Sequence, residues 1–142
     1  MVARVSTVAF SGIDVIEVGA EVQMTSGLPA FTIVGLPDKA VAESRERVRG
    51  ALASIGLSLP PKHISINLAP ADVVKEGSHF DLPIALALLI AMDVVPADAI
   101  EGYVALGELS LDGRINSVSG VLAAALGAAG AGRGIICPES SG

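Results

Sequence analysis

Apolar and polar side chains alternate through the first quarter of the chain. Val2, Val5, Val8 and Phe10 recur loosely enough to predict a strand over residues 2–10. Gly12 then turns the chain, and residues 13–24 alternate again. Ile16, Val18, Ala20, Val22 and Met24 fall on one face, and Val15, Glu17, Gly19, Glu21 and Gln23 on the other. One aliphatic and one largely polar face is the pattern of a half-exposed antiparallel strand. A Ser26-Gly27-Leu28-Pro29 turn leads into a third short strand, Ala30 to Val34.

At Asp38 the period changes. Val41, Val48, Leu52 and Ile55 recur at helical spacing, with Asp38 as the expected N-cap and Gly56 as the C-terminal glycine. Pro60-Pro61 separates this helix from a strand over Ile64 to Leu68, and a buried helix is expected over Leu82 to Met92. Tyr103 to Leu111 reads as one strand, Asp112-Gly113 as a tight turn, and Arg114 to Val118 as the returning strand. Ser119-Gly120 opens an Ala-rich helix to about Ala129, followed by a Gly-rich turn and a last strand at Ile135-Ile136. The order β-β-β-α-β-α-β-β-α-β, with about three helices, predicts an α+β domain with mixed sheet pairing and no internal repeat.

Composition narrows the picture. The 142 residues are enough for one domain with a real core, 51% of them are hydrophobic, and the absence of Trp makes that core aliphatic. The longest apolar run, Leu82 to Met92, has eleven residues against the ~20 that a membrane span needs. There is no basic-then-apolar leader pattern, and Cys137 is alone, so no internal disulfide forms. These features point to a cytoplasmic location and no membrane partner. A net charge of −6 argues against a dedicated nucleic-acid domain. Arg45, Arg47 and Arg49 form one local basic cluster, partly offset by Glu43 and Glu46. On a helix Arg45 and Arg49 share a face, and Glu43 and Arg47 make a second i, i+4 pair. The cluster is either a solvated helix face or a docking or phosphate-contacting patch.

Candidate chemistry concentrates between the Ile64–Leu68 strand and the Leu82 helix. This loop carries Asp72, Lys75, Glu76, Ser78, His79 and Asp81, and polar groups on a loop between buried elements are a common way to build a site. Their alternatives are to cap the Leu82 helix and fix the loop, with Pro83 in its first position, or to contact a partner. Other sites are absent from the sequence. The lysines are Lys39, Lys62 and Lys75, none preceded by Gly, so no phosphate-binding P-loop exists. The Gly130 to Gly134 run follows a helix and reads as a C-capping turn rather than a dinucleotide fingerprint. Two histidines sixteen residues apart supply no zinc site. No cofactor or metal is expected to bind this chain.

Three segments resemble one family over essentially the whole chain: Ser26 to Pro37 (SGLPAFTIVGLP), Glu43 to Arg49 (ESRERVR), and Asn67 to Ala85, with its NLAPAD, KEG and FDLPIA runs. They look like the N-terminal domain of the magnesium-chelatase-like AAA+ proteins (the ComM/YifB family). The resemblance implies an ATPase module downstream, with its ATP and magnesium, and a hexameric ring of neighbouring subunits. It also implies DNA as the partner of a helicase that promotes branch migration in natural transformation. This chain stops after Cys137-Pro138-Glu139 and is expected to be the N-terminal portion alone.

That domain is in turn similar to the proteolytic domain of Lon-type proteases, of ribosomal-protein domain 2-like fold, which use a Ser nucleophile and a Lys base. Lys75-Glu76-Gly77-Ser78-His79-Phe80-Asp81 takes the place of the nucleophile loop, and Gly107 to Arg114 that of the hairpin before the base. This register puts His79 at the nucleophile and Leu122 at the base, and no Lys or Arg occurs between Arg114 and Arg133. A Ser–Lys dyad needs a neutral amine to take the hydroxyl proton, so the expected domain is Lon-like and non-catalytic. The rival expectations are a diverged peptidase using Ser78 or His79, and a metal-chelatase accessory module.

Overall fold

The first two stretches of alternation form a hairpin. In the computed structural model, which describes residues 2–141, β1 (Val2–Ser11) and β2 (Asp14–Thr25) pair antiparallel from Val2 opposite Gln23 to Ser11 opposite Asp14. On the far edge of β2 lies β4 (His63–Ala69), also antiparallel. β3 (Ala30–Val34) pairs parallel with β4, and α1 (Asp38–Ser54) makes the crossover between them. On the other edge of β1, β5 (Tyr103–Ala105) and then β8 (Gly134–Ile136) add in parallel. Among the described residues the result is one mixed six-stranded sheet of order β3-β4-β2-β1-β5-β8. A separate two-stranded ribbon pairs β6 (Glu108–Leu109) with β7 (Ile115–Asn116). The remaining α-helices among the described residues are α2 (Asp81–Ala91) and α3 (Val121–Gly130).

The register sorts side chains between two layers. Ala3, Val5, Thr7 and Ala9 of β1 share a face with Val18, Ala20 and Val22 of β2 and Ile64, Ile66 and Leu68 of β4. That face packs under α1 and α2, around buried Phe80, Ile84, Leu88, Val48 and Leu52. Each fully buried aliphatic or aromatic side chain there contributes about 1.5–3 kcal/mol. The opposite face carries a smaller cluster, in which Val8 and Phe10 meet Val104, Leu106, Ala124 and Ala128 beneath α3. The alternation expected for β2 is present, with Val18, Ala20 and Val22 buried on the helix side.

Several boundaries differ from those expected. Pro37, not Asp38, occupies the N-cap of α1. Asp38 is the first helical residue, where its carboxylate meets the positive end of the helix. Gly56 closes the helix as expected: its amide bonds to the Ala53 carbonyl and the Leu57 amide to the Leu52 carbonyl, the Schellman pattern. The single strand expected over Tyr103 to Leu111 is split between β5 and β6, which belong to different sheets. At the break, the Gly107 amide donates to the His79 carbonyl while its own carbonyl accepts from the Leu82 amide. Pro83 is the third residue of α2 rather than the first.

Candidate functional site: the loop between β4 and α2

The loop leaves β4 at Ala69 and enters α2 at Asp81. Its polar side chains divide into an inward and an outward set. Lys75, His79 and Asp81 are buried, while Asp72 and Glu76 are exposed and Ser78 is half-buried. No side-chain hydrogen bond caps α2 at Phe80, although Asp81 stands in its first turn, beside the helix N-terminus. Asp81 and His79 reach other parts of the molecule, while Lys75 folds back on the loop itself.

Asp81, 1% exposed, faces α1 and β6. Its Oδ1 accepts hydrogen bonds from Ser44 Oγ at 2.8 Å and Arg47 Nη2 at 3.1 Å. Its Oδ2 accepts from Arg47 Nε at 2.5 Å and from the Leu109 amide at 3.1 Å. The guanidinium fork is thus bidentate, the strong geometry for an Arg–carboxylate pair. This pairing, with Asp81 as the first cause, raises the affinity of Arg47 for its proton above the ordinary value. Glu43 adds a looser contact, 3.7 Å from Arg47 Nη1.

Lys75 is 2% exposed and folds back on the loop, its Nζ donating to the Pro70 carbonyl at 2.6 Å and the Val73 carbonyl at 2.7 Å. Burial lowers its pKa below the ordinary lysine value, against the opposing pull of Asp72. His79 spans to β1, with Nε2 2.7 Å from the Val8 carbonyl. A carbonyl can only accept, so Nε2 carries the hydrogen and Nδ1 keeps its lone pair. The ring lies between Phe80 and Phe10, at centroid distances of 4.1 and 5.4 Å. Burial lowers its pKa and holds it neutral, outweighing the Val8 carbonyl and the Asp81 charge.

The outward half borders an open cavity of about 670 Å³ lined by Glu76, Ser78 and His79 together with Phe10, Ser117 and Ser119. Gly77 has φ +95°, and a Cβ there would stand 3.1 Å from His79 Nδ1. Leu122, at the position aligned with the Lon base, is a 74% exposed aliphatic side chain on α3.

The three arginines do not act as one patch. Arg47 is committed to Asp81. Arg45 donates from Nη1 to the Phe31 carbonyl at 3.0 Å, and the Arg49 guanidinium lies 5.4 Å from the Phe31 ring centroid. Ser44 had no assigned role in the sequence, although its i, i+3 relation to Arg47 puts both on one helix face and could have marked them as joint ligands. A second polar network was also missed: Arg133 bonds Glu17 at 2.6 Å and Ser6 at 2.8 Å, and Arg4 bonds Ser6 at 3.1 Å. Among the described residues no helix is long and apolar enough to cross a membrane, and no group of three or more His, Cys, Asp or Glu could hold a metal ion.

The segments singled out in the sequence therefore meet in space, Ser44 and Arg47 from the second and Asp81 from the third. Over residues 20–141 the sequence matches the family described as subunit ChlI of Mg-chelatase. The chain belongs to this ChlI family. The ChlI-type chain is 46% identical over 134 residues to the uncharacterized protein YifB of Salmonella typhimurium, covering 94% of the chain and 26% of that relative. It is 42% identical over 133 residues to the competence protein ComM of Haemophilus influenzae, again 94% of the chain and 26% of the relative. An uncharacterized protein of Mycobacterium tuberculosis is 46% identical over 125 residues, 88% of the chain and 25% of that protein. The chain thus spans about a quarter of the length of these relatives.

Proposed function

We propose that this chain is a non-catalytic, Lon-like N-terminal module of a magnesium-chelatase-like AAA+ ATPase. Its work is to hold a tier of a hexameric ring together and to present that ring to DNA during branch migration in natural transformation. ATP and magnesium are assigned to a separate ATPase module, and the whole protein to the cytoplasm. One observation carries the non-catalytic reading: the loop's three best candidates for acid–base chemistry are all engaged internally. Lys75 holds two loop carbonyls, His79 holds the Val8 carbonyl, and Asp81 holds Arg47, Ser44 and Leu109. The name of the Haemophilus relative, a competence protein, supports the DNA-processing context.

Because Arg47 is occupied, any DNA-facing belt of the ring rests on Arg45 and Arg49. In the full-length protein, single-strand binding should weaken and its salt slope flatten on changing Arg45 and Arg49 to Ala. An unchanged salt slope removes the belt. Casein turnover or labelling by a serine-reactive probe that disappears in Ser78→Ala would replace this reading with a peptidase.

A further inference from the structure

A second cavity lies away from the loop, where α1 ends and the chain returns to the sheet. After the Gly56 turn the connector runs out through Leu57, Ser58, Leu59 and Pro60-Pro61, and the Lys62 carbonyl is hydrogen-bonded by the Ala30 amide at 3.3 Å. Two successive prolines fix φ along this connector and offer no amide hydrogen, and the Lys62 amide closes a tight turn on the Pro60 carbonyl at 2.8 Å. The connector stands off from the sheet and leaves a cavity of about 420 Å³. Phe31, Leu52 and Ile64 form the floor, at 4%, 3% and 1% exposure. Leu57, Leu59 and Pro60 line the outer side.

Size and lining suit a small molecule, for such sites measure about 300–1,000 Å³ and are mostly apolar with a few placed polar groups. The ionisable groups on this cavity are Arg49 and Lys62, with no carboxylate in the lining. Neither forms an ion pair among the described residues. In a chain of net charge −6, a cavity rimmed only by cations selects an anion against the prevailing field. The floor is also fixed in advance, since Arg45 holds the Phe31 carbonyl from outside and Arg49 covers the Phe31 ring.

We propose that this cavity binds a small amphipathic anion, its apolar body on the Phe31–Leu52–Ile64 floor and its carboxylate or sulfonate head between Arg49 and Lys62. The site is separate from the β4–α2 loop, and it shares Arg49 with the DNA-facing belt proposed above.

The test uses anilinonaphthalene sulfonate, whose emission is read easily in a chain without Trp. Titration of the chain should show one saturable site that octanoate displaces, while octanol of the same chain length needs about tenfold more, the factor expected when a charge-assisted contact is lost. Raising the salt should erode the octanoate preference and leave octanol unchanged. Ala53→Trp, at a wall position exposed on α1, should fill the cavity and lower probe affinity at least tenfold. Ser58→Trp serves the same purpose from the connector if the first variant does not fold. Arg49→Glu with Lys62→Glu should abolish the preference for octanoate. Replacing exposed Leu122 and Leu126 by Ser controls for nonspecific binding and should leave the saturable site intact. Equal displacement by octanol and octanoate overturns the proposal, as does unaltered probe binding in a folded cavity-filled variant.

Discussion

Breaking the Arg47–Asp81 pair should cost different amounts from its two ends. Arg47→Met keeps the aliphatic stem and removes the guanidinium, leaving a carboxylate that is 1% exposed with only Ser44 and the Leu109 amide for partners. Stripping one member from a buried ion pair costs about 3–5 kcal/mol. Asp81→Ala leaves the other member, but Arg47 is 20% exposed, reaches water and still has Glu43 at 3.7 Å. That change leaves the Leu109 amide unpaired, about 1–3 kcal/mol, and frees the Ser44 hydroxyl, which can turn to a carbonyl of its own helix. Arg47→Met should therefore be the more destabilising substitution, and the double variant should cost less than the two single changes added together. Urea unfolding followed by far-UV circular dichroism measures all three. At about 3 °C per kcal/mol for a domain of this size, Arg47→Met should lower Tm by roughly 10–15 °C. A cost below about 1 kcal/mol for Arg47→Met, the level of an exposed ion pair, would refute the reasoning, as would a larger cost for Asp81→Ala.

Other expectations follow from single groups. His79 has a folded-state pKa below its ordinary 6.5, so the unfolded chain binds the extra proton first, and stability should fall as pH drops below that value, by up to about 1.4 kcal/mol per pH unit. Denaturant midpoints between pH 7 and 5 should show this slope in the native chain and lose it in His79→Gln. The Thr7 hydroxyl is fully buried without a hydrogen-bond partner, so Thr7→Val should raise stability by about 1–2 kcal/mol, read as a higher urea midpoint. Gly120, at the N-cap of α3 with φ +86°, would place a Cβ 2.6 Å from the Phe10 ring. Gly120→Ala should cost about 2 kcal/mol, measured by thermal unfolding.

Elements whose signal is local were legible in the sequence. β2 follows from its alternation, α1 from its period and Gly56, and the Asp112-Gly113 turn from two adjacent residues that hold β6 against β7. The Tyr103 to Leu111 stretch misled because its apolar run continues while its partners change. Leu106 bonds the Ile136 carbonyl, Gly107 docks on the entrance to α2, and Leu109 turns to Asp81. Those partners lie some thirty residues away, and no window along the chain contains them. The candidate loop was legible as a place but not as a role. The same six residues could have faced solvent together. Burial sends Lys75, His79 and Asp81 inward and leaves Asp72 and Glu76 outside. For the arginines, helical spacing put Arg45 and Arg49 on one side, but only the position of α2 makes Arg47 the partner of a carboxylate.

The contacts of Asp81 also bear on motion. Its carboxylate is the only side chain that hydrogen-bonds both α1 and β6 among the described residues, and it stands on the first residue of α2. Local opening of any one of these elements breaks the same set of bonds. Opening α1 removes Ser44 and Arg47, opening α2 removes the carboxylate itself, and peeling away β6 frees the Leu109 amide. Amide protons in the three elements should then exchange through one shared fluctuation rather than three separate ones. A displacement of the β6–β7 ribbon would reach α1 as a shift of its Arg47 turn, which makes this corner a mechanical unit in any assembly that pushes on the ribbon.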